Sequence, residues 1–322
     1  MTLTTAPQGP ASSEPQGPAA SEPQGPAASE PQGPSTSRAP APPSPRPVRR
    51  HRDVAGLLLR GWTVLVLVFL FLPILFVVAY SFNSGRRLVI WDGFGTNWYG
   101  TAVGNEVVTG SVTTSLVVAA LTALLAVVLG ALAGIALARR GGGWSAPFLA
   151  VVALVLVTPE IVDAIAYLVW FVRLGIADPY VRLVVGHSVY ASAVVTLLVR
   201  ARLQGLDESL EEAAADLGAP PLRAFRLVTL PLLMPALVAG GLLAFTTSLD
   251  NVVISAFVST AGTTTLPVYV LSSLRTGLKG DLAAISVLML AVTLLALVVA
   301  ALVLRRGGAS AEQVTGTLTG AG

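Results

Sequence analysis

The chain contains no cysteine. Disulfides, thiol nucleophiles and cysteine-ligated metals are therefore excluded, and the redox compartment is left open. Histidine is nearly absent: His51 and His187 are the only two, too few for a histidine-built metal cluster. Lys279 is the single lysine and Gly280 follows it, so no G-x4-G-K-[ST] phosphate loop exists in the sequence. Whatever drives this protein, it does not bind nucleotide through a P-loop of its own. HExxH and GxSxG are missing as well, which leaves a membrane-embedded enzyme little support. No cofactor is expected. Charge is scarce, with Asp, Glu, Lys and Arg making up 11% of the 322 residues.

Apolar residues are what the chain has in excess. They make up 54% of it, and the mean hydropathy is +0.76, a value that soluble domains rarely reach. The exception is the N-terminal arm, residues 1–53, where an octapeptide repeats four times: APQGPASS from Ala6, EPQGPAAS from Glu14 and again from Glu22, and EPQGPSTS from Glu30. Pro, Gly, Ser and Ala bury too little apolar area to offset the entropy of ordering, so the arm is predicted to be disordered. Glycine does not recur at every third position, which excludes collagen.

Residues 55–306 read as a six-span membrane domain, with spans near 61–82, 111–138, 147–172, 183–203, 232–258 and 281–304, and residues 307–322 form a polar tail. Each run is long enough, at 1.5 Å per residue, to cross a hydrocarbon core about 30 Å thick. The first follows Arg46, Arg49, Arg50, Arg52 and Arg60. It is too long for a signal-peptide core and lacks a small-residue cleavage site, so it reads as an uncleaved span. Trp91, Trp98 and Tyr99 suit a membrane–water boundary. Gly130 and Gly134 make a G-x-x-x-G pair that lets helices approach closely. Pro159 interrupts the third span, and Asp281 is placed to cap the sixth. The fold class expected is an all-α membrane protein.

Basic residues set the orientation. With both termini on one side, that side carries 14 of the 20 Lys and Arg, and the opposite side carries 6. The positive-inside rule then puts both termini, and the segment 204–231, in the cytoplasm. Membrane lipids are expected neighbours; nucleic acid is not.

The segment 204–231 is a charged interruption between the fourth and fifth spans. Ser209 and Glu212 have capping-box spacing, so a helix is expected to start there. Gly218, then Pro220 and Pro221, should end it. A second amphipathic piece, Leu222 to Leu230, leads to Pro231. An ordinary interfacial connector would satisfy this composition, but a structured loop of this length also suits a docking partner. The spacing favours the second reading. Glu212, Ala213, Ala214, Gly218, Val228, Leu230 and Pro231 reproduce E-A-A-x3-G-x9-I-x-L-P, with Val for Ile. This resembles the EAA signature of inner-membrane permease subunits of binding-protein-dependent ABC importers, and the IALAR run ending at Arg139 resembles the same family. The resemblance covers about residues 55–306 and implies the type I (MetI-like) permease arrangement. It also implies a second permease subunit, a cytoplasmic ABC ATPase dimer and an extracytoplasmic substrate-binding protein. In that family the EAA segment is the coupling helix that docks on the ATPase.

Two further stretches, TPEIVDAIA from Thr158 and FTTSLDNVVISAFVS from Phe245, resemble the second permease of spermidine/putrescine importers. The commonest form of the latter has two adjacent acids where this chain has Asp250 and Asn251. Another small solute therefore stays open as the cargo, and a secondary transporter or channel is the more distant alternative. Acids inside a span are costly, by about 2.5–3.5 kcal/mol each, so they should face a cavity or a partner. Glu160 and Asp163 are i and i+3 on one helix, and Tyr167 continues their face. Counting along the spans puts Glu160 roughly 20 Å and Asp250 roughly 25 Å from the cytoplasmic edge, at similar depth. Glu160, Asp163, Tyr167, Asp250 and Asn251 are the candidate cation pathway; the competing reading is that the acids only bond neighbouring hydroxyls or the partner permease. His187 reads as a packed or interfacial histidine.

Overall fold

The computed structural model describes residues 54–85, 90–275 and 280–306. The predicted disordered arm and the tail lie outside the described residues. By its contacts the chain divides at Leu57/Leu58, and of the N-terminal unit only residues 54–57 are described. Among the described residues the regular secondary structure is helical, apart from an isolated bridge between Asn83 and Phe94.

The helices are α1 (Val54–Ser81), α2 (Asn97–Gly104), α3 (Glu106–Arg139), α4 (Ser145–Val157), α5 (Glu160–Arg173), α6 (Pro179–Gln204), α7 (Ser209–Asp216), α8 (Pro221–Ala224), α9 (Leu230–Leu249), α10 (Val253–Val258), α11 (Leu266–Leu274) and α12 (Gly280–Arg306). Among the described residues five stretches are long and apolar enough to cross a bilayer, and α4 with α5 supplies a sixth if the bent pair counts as one.

Local chemistry explains where the helices begin. α3 starts at Glu106, ahead of the expected Ser111, because the Asn105 side chain accepts from the N–H groups of Val107 and Val108. Asp178 caps α6 by accepting from Val181 N–H, with Pro179 in the first turn, where a missing N–H costs nothing. Asp281 lies within the first turn of α12, where its carboxylate accepts the Leu282 N–H.

The third apolar run is two helices. Thr158 is extended, as residues before proline prefer, and α4 and α5 meet at 106°. Having 13 residues, α4 is only about 20 Å long, too short to cross alone. The fifth run is also interrupted: α9 ends at Leu249, and α10 starts only at Val253. Re-entry from the loop is one continuous stretch, Pro221–Leu249. Pro231 lacks an N–H, and its ring would crowd the Leu227 carbonyl. The backbone answers with a π-helical turn over Phe225–Thr229.

α3, α6 and α9 form the central seam. Ala126, Val195, Val199, Leu233 and Ala244 are buried there. Gly130 and Gly134 let α3 press against α6. A Cβ on Gly130 would fall 2.6 Å from Val195 Cβ, and one on Gly134 would fall 2.8 Å from the Thr196 carbonyl oxygen. A second cluster joins α3, α5, α6 and α10 through Val118, Ala164, Phe171, Leu183 and Ile254. A third holds α11 and α12 against α3, where Leu266 N–H donates to the buried Ser115 hydroxyl at 2.8 Å.

Candidate functional site

The two interrupted runs meet. The start of α5 and the break between α9 and α10 enclose a cavity of about 460 Å³. Four of the five expected pathway residues line it: Glu160, Asp163, Asp250 and Asn251. Asn251 ties two elements together, since its amide nitrogen donates to Glu160 Oε1 at 2.5 Å and its oxygen accepts Ser255 N–H at 3.2 Å. Tyr167 is not in the lining. It lies seven residues beyond Glu160, about 10 Å along the axis, and its ring stacks on Phe171. The aromatic that does line the cavity is Tyr190, on α6, one turn from His187. Sequence reasoning gives His187 as a packed or interfacial histidine, in keeping with its burial, and does not single out Tyr190. Their i, i+3 spacing on a polar stripe of an otherwise apolar span was the available signal.

His187 is buried, and each ring nitrogen has a serine partner: Nδ1 lies 2.8 Å from Ser248 Oγ and Nε2 lies 3.0 Å from Ser255 Oγ. A larger cavity, about 760 Å³ and mainly apolar, lies between α9, α11 and α12. Thr247, Asp250 and Val252 border both cavities, so the α9–α10 break is their common wall.

The segment between α6 and α9 has its own geometry. α7 does not use the expected Ser209–Glu212 box. Asp207, two residues earlier, accepts the Ser209 N–H at 3.0 Å, and Glu208 stands at the helix boundary. A carboxylate is a stronger acceptor than a hydroxyl, and the Ser209 N–H holds the Asp207 carboxyl below its ordinary value. The other end closes as anticipated: Gly218 has φ +80°, its N–H donates to Ala215 O, and Ala219 N–H donates to Ala214 O. This paired arrangement satisfies carbonyls that the helix end leaves open.

Glu212, Ala213 and Gly218 are exposed, as are the apolar side chains of Leu217, Leu222 and Leu227. Val228 and Leu230 are half-buried in the π turn and the start of α9, and Pro231 is exposed at its first turn. The inner face of α7 is tied down. Arg139, at the end of α3, donates to Glu208 Oε1 at 2.8 Å and to Glu211 Oε1 at 2.7 Å, and Thr229 Oγ1 donates to the same Glu211 oxygen at 2.5 Å. Ala214 is half-buried against this side.

A helical multi-pass membrane protein with a carboxylate-lined cavity among its spans, and a rigid polar helix held outside them, has the parts of a transport subunit. Residues 126–307 match the binding-protein-dependent transport system inner membrane component, and the chain belongs to that family. It is 39% identical over 240 residues to the putrescine transport system permease protein PotI of Escherichia coli (strain K12), covering 71% of this chain and 85% of that protein. It is 35% identical over 254 residues to the spermidine/putrescine transport system permease protein PotC of the same organism, covering 78% and 95%. Its fold is shared, at TM-score 0.61 and 16% identity, with a chain of a bacterial ABC transporter involved in the import of the acidic polysaccharide alginate, over 82% of this chain and 99% of that one.

Proposed function

We propose that this chain is one of two permease subunits of an ATP-driven importer for polyamines. In this reading a separate cytoplasmic ATPase dimer supplies the energy and an extracytoplasmic binding protein delivers the cargo. Both termini and α7 face the cytoplasm, in keeping with the arginine asymmetry. α7 is the lever that meets the ATPase: its outer face offers Glu212 to basic groups, Ala213 permits close approach, and Leu217 and Leu222 supply apolar contact.

The observation that carries the reading is the cavity, which gathers Glu160, Asp163 and Asp250 around one space beside Tyr190. Three carboxylates and an aromatic ring suit a flexible organic polycation, whose ammonium groups pair with the acids while the ring adds cation–π attraction. The putrescine and spermidine named for the relatives are cargo of that chemistry. The test is uptake of labelled putrescine by the reconstituted importer carrying Asp250→Asn or Glu160→Gln. These changes keep size and hydrogen bonding and remove charge. Transport is expected to fall about tenfold or more, of the order that one lost charge-assisted contact supplies, while the ATPase still co-purifies. Wild-type uptake by both variants overturns the reading.

A further inference from the structure

His187 is the one histidine among the described residues, and it is only 4% exposed. Its two partners stand on opposite sides of a backbone break. Ser248 is in the last turn of α9 and Ser255 in the first turn of α10. Between them, Asp250 to Val252 carry no continuous helical ladder. Ser255 passes the connection on through its own N–H to Asn251, and Asn251 donates to Glu160. One chain of bonds thus runs Ser248, His187, Ser255, Asn251, Glu160, across α9, α6, α10 and α5.

A buried imidazole has one donor and one acceptor to satisfy, and here the two partners lie on different elements. With both nitrogens engaged, the ring orientation is fixed, and either neutral tautomer works because each serine hydroxyl can donate or accept. Gly186 beside it leaves room for α10: a Cβ there would sit 3.0 Å from Ile254 Cγ2. We infer that His187 is a positioning residue that clasps the two ends of the interrupted span and so holds Asp250 and Asn251 toward the cavity. The inference deepens the transport reading above and rests on it for its consequence in uptake. The clasp itself is a statement about geometry and is tested separately.

Because the chain has no cysteine, Val252→Cys places a single reporter thiol at the cavity wall. In the reconstituted importer, its modification by a cationic methanethiosulfonate is followed on this subunit. Adding His187→Ala is expected to speed modification about fivefold or more as the break loosens. In the chain without the reporter, His187→Ala is expected to lower the maximal putrescine uptake rate by about tenfold or more, since misplacing a reacting or contacting group by an ångström can cost up to about a hundredfold. The concentration of binding protein giving half-maximal uptake should not move. His187→Gln, whose amide can serve both serines, should restore both readouts to within about threefold. Ser255→Ala, which keeps the ring and its packing, should loosen the reporter in the same direction. Unchanged modification in both His187→Ala and Ser255→Ala overturns the clasp, as does equal loosening by Ala and Gln at position 187. If the wild-type importer takes up no putrescine, the transport reading fails, and the modification rates still decide the clasp.

Discussion

Replacing Arg139 with Gln cuts the two salt bridges found among the described residues, and with them the charged link between α3 and α7. The two are unequal. Glu208 is 71% exposed, so its pairing with Arg139 contributes only about 0.2–1 kcal/mol. Glu211 is 33% exposed and Arg139 20%, and Glu211 also holds the Thr229 hydroxyl. That bond belongs with charge-assisted hydrogen bonds, about 1.5–3 kcal/mol. Losing both should release α7 from α3 by about 2 kcal/mol, a factor of roughly 30 in the docked-to-released ratio. The lever would still bind the ATPase but push against a yielding support. In the reconstituted importer, ATP hydrolysis is expected to continue while uptake per ATP falls about tenfold. A double-mutant cycle with Glu211→Gln, read as thermal midpoints of the purified complex, gives the coupling directly. A coupling energy below about 0.3 kcal/mol, with normal uptake per ATP, would refute the reasoning.

Gly218→Val forces a β-branched residue to φ +80°, at a cost of at least about 1–2 kcal/mol. Co-purification of the ATPase should be lost with insertion intact, and full transport would deny α7 its role. Gly134→Val drives a side chain into a backbone oxygen that cannot rotate away. The thermal midpoint should fall by the equivalent of about 3 kcal/mol, whereas Gly100→Val, with open space around its Cβ, should leave it unchanged; equal midpoints would contradict the close α3–α6 seam. Reporter fusions after Gly95 and Thr264 should read as external and those after Gly142 and Gly307 as cytoplasmic, and an external signal at Gly142 would reverse the orientation.

The long helices were legible because apolar runs bounded by Arg, Gly and Pro leave few alternatives. The Pro159 break was legible for the same reason, since proline acts locally. Its 106° angle was not, because that depends on what α4 and α5 pack against. The α9–α10 break was hidden: apolar residues resume immediately after Asn251, and periodicity cannot separate a helix from one that stops for three residues and restarts. α11 falls in the stretch left between the fifth and sixth spans, too short to show as a span, and the bond from Leu266 to Ser115 anchors it. α7 begins at Ser209, one residue earlier than a Ser209 cap would give, and Asp207 takes the Ser209 N–H. At the cavity the acids stood out as anomalies in apolar runs, whereas His187 and Tyr190 gain their meaning only from α9 and α10.

The interruption of two spans has an electrostatic consequence. Asp250 sits at the carboxyl end of α9, where the helix dipole adds partial negative charge to its own. Glu160 and Asp163 occupy the first turn of α5, where N–H groups offset part of theirs. The three carboxylates are therefore not equivalent to an incoming cation. The helix dipoles make Asp250 the more negative pole and the α5 pair the less negative one, so the field inside the cavity has a direction. A polyamine of the kind proposed above would set one ammonium group at Asp250, on the wall shared with the apolar cavity, and another toward the α5 pair.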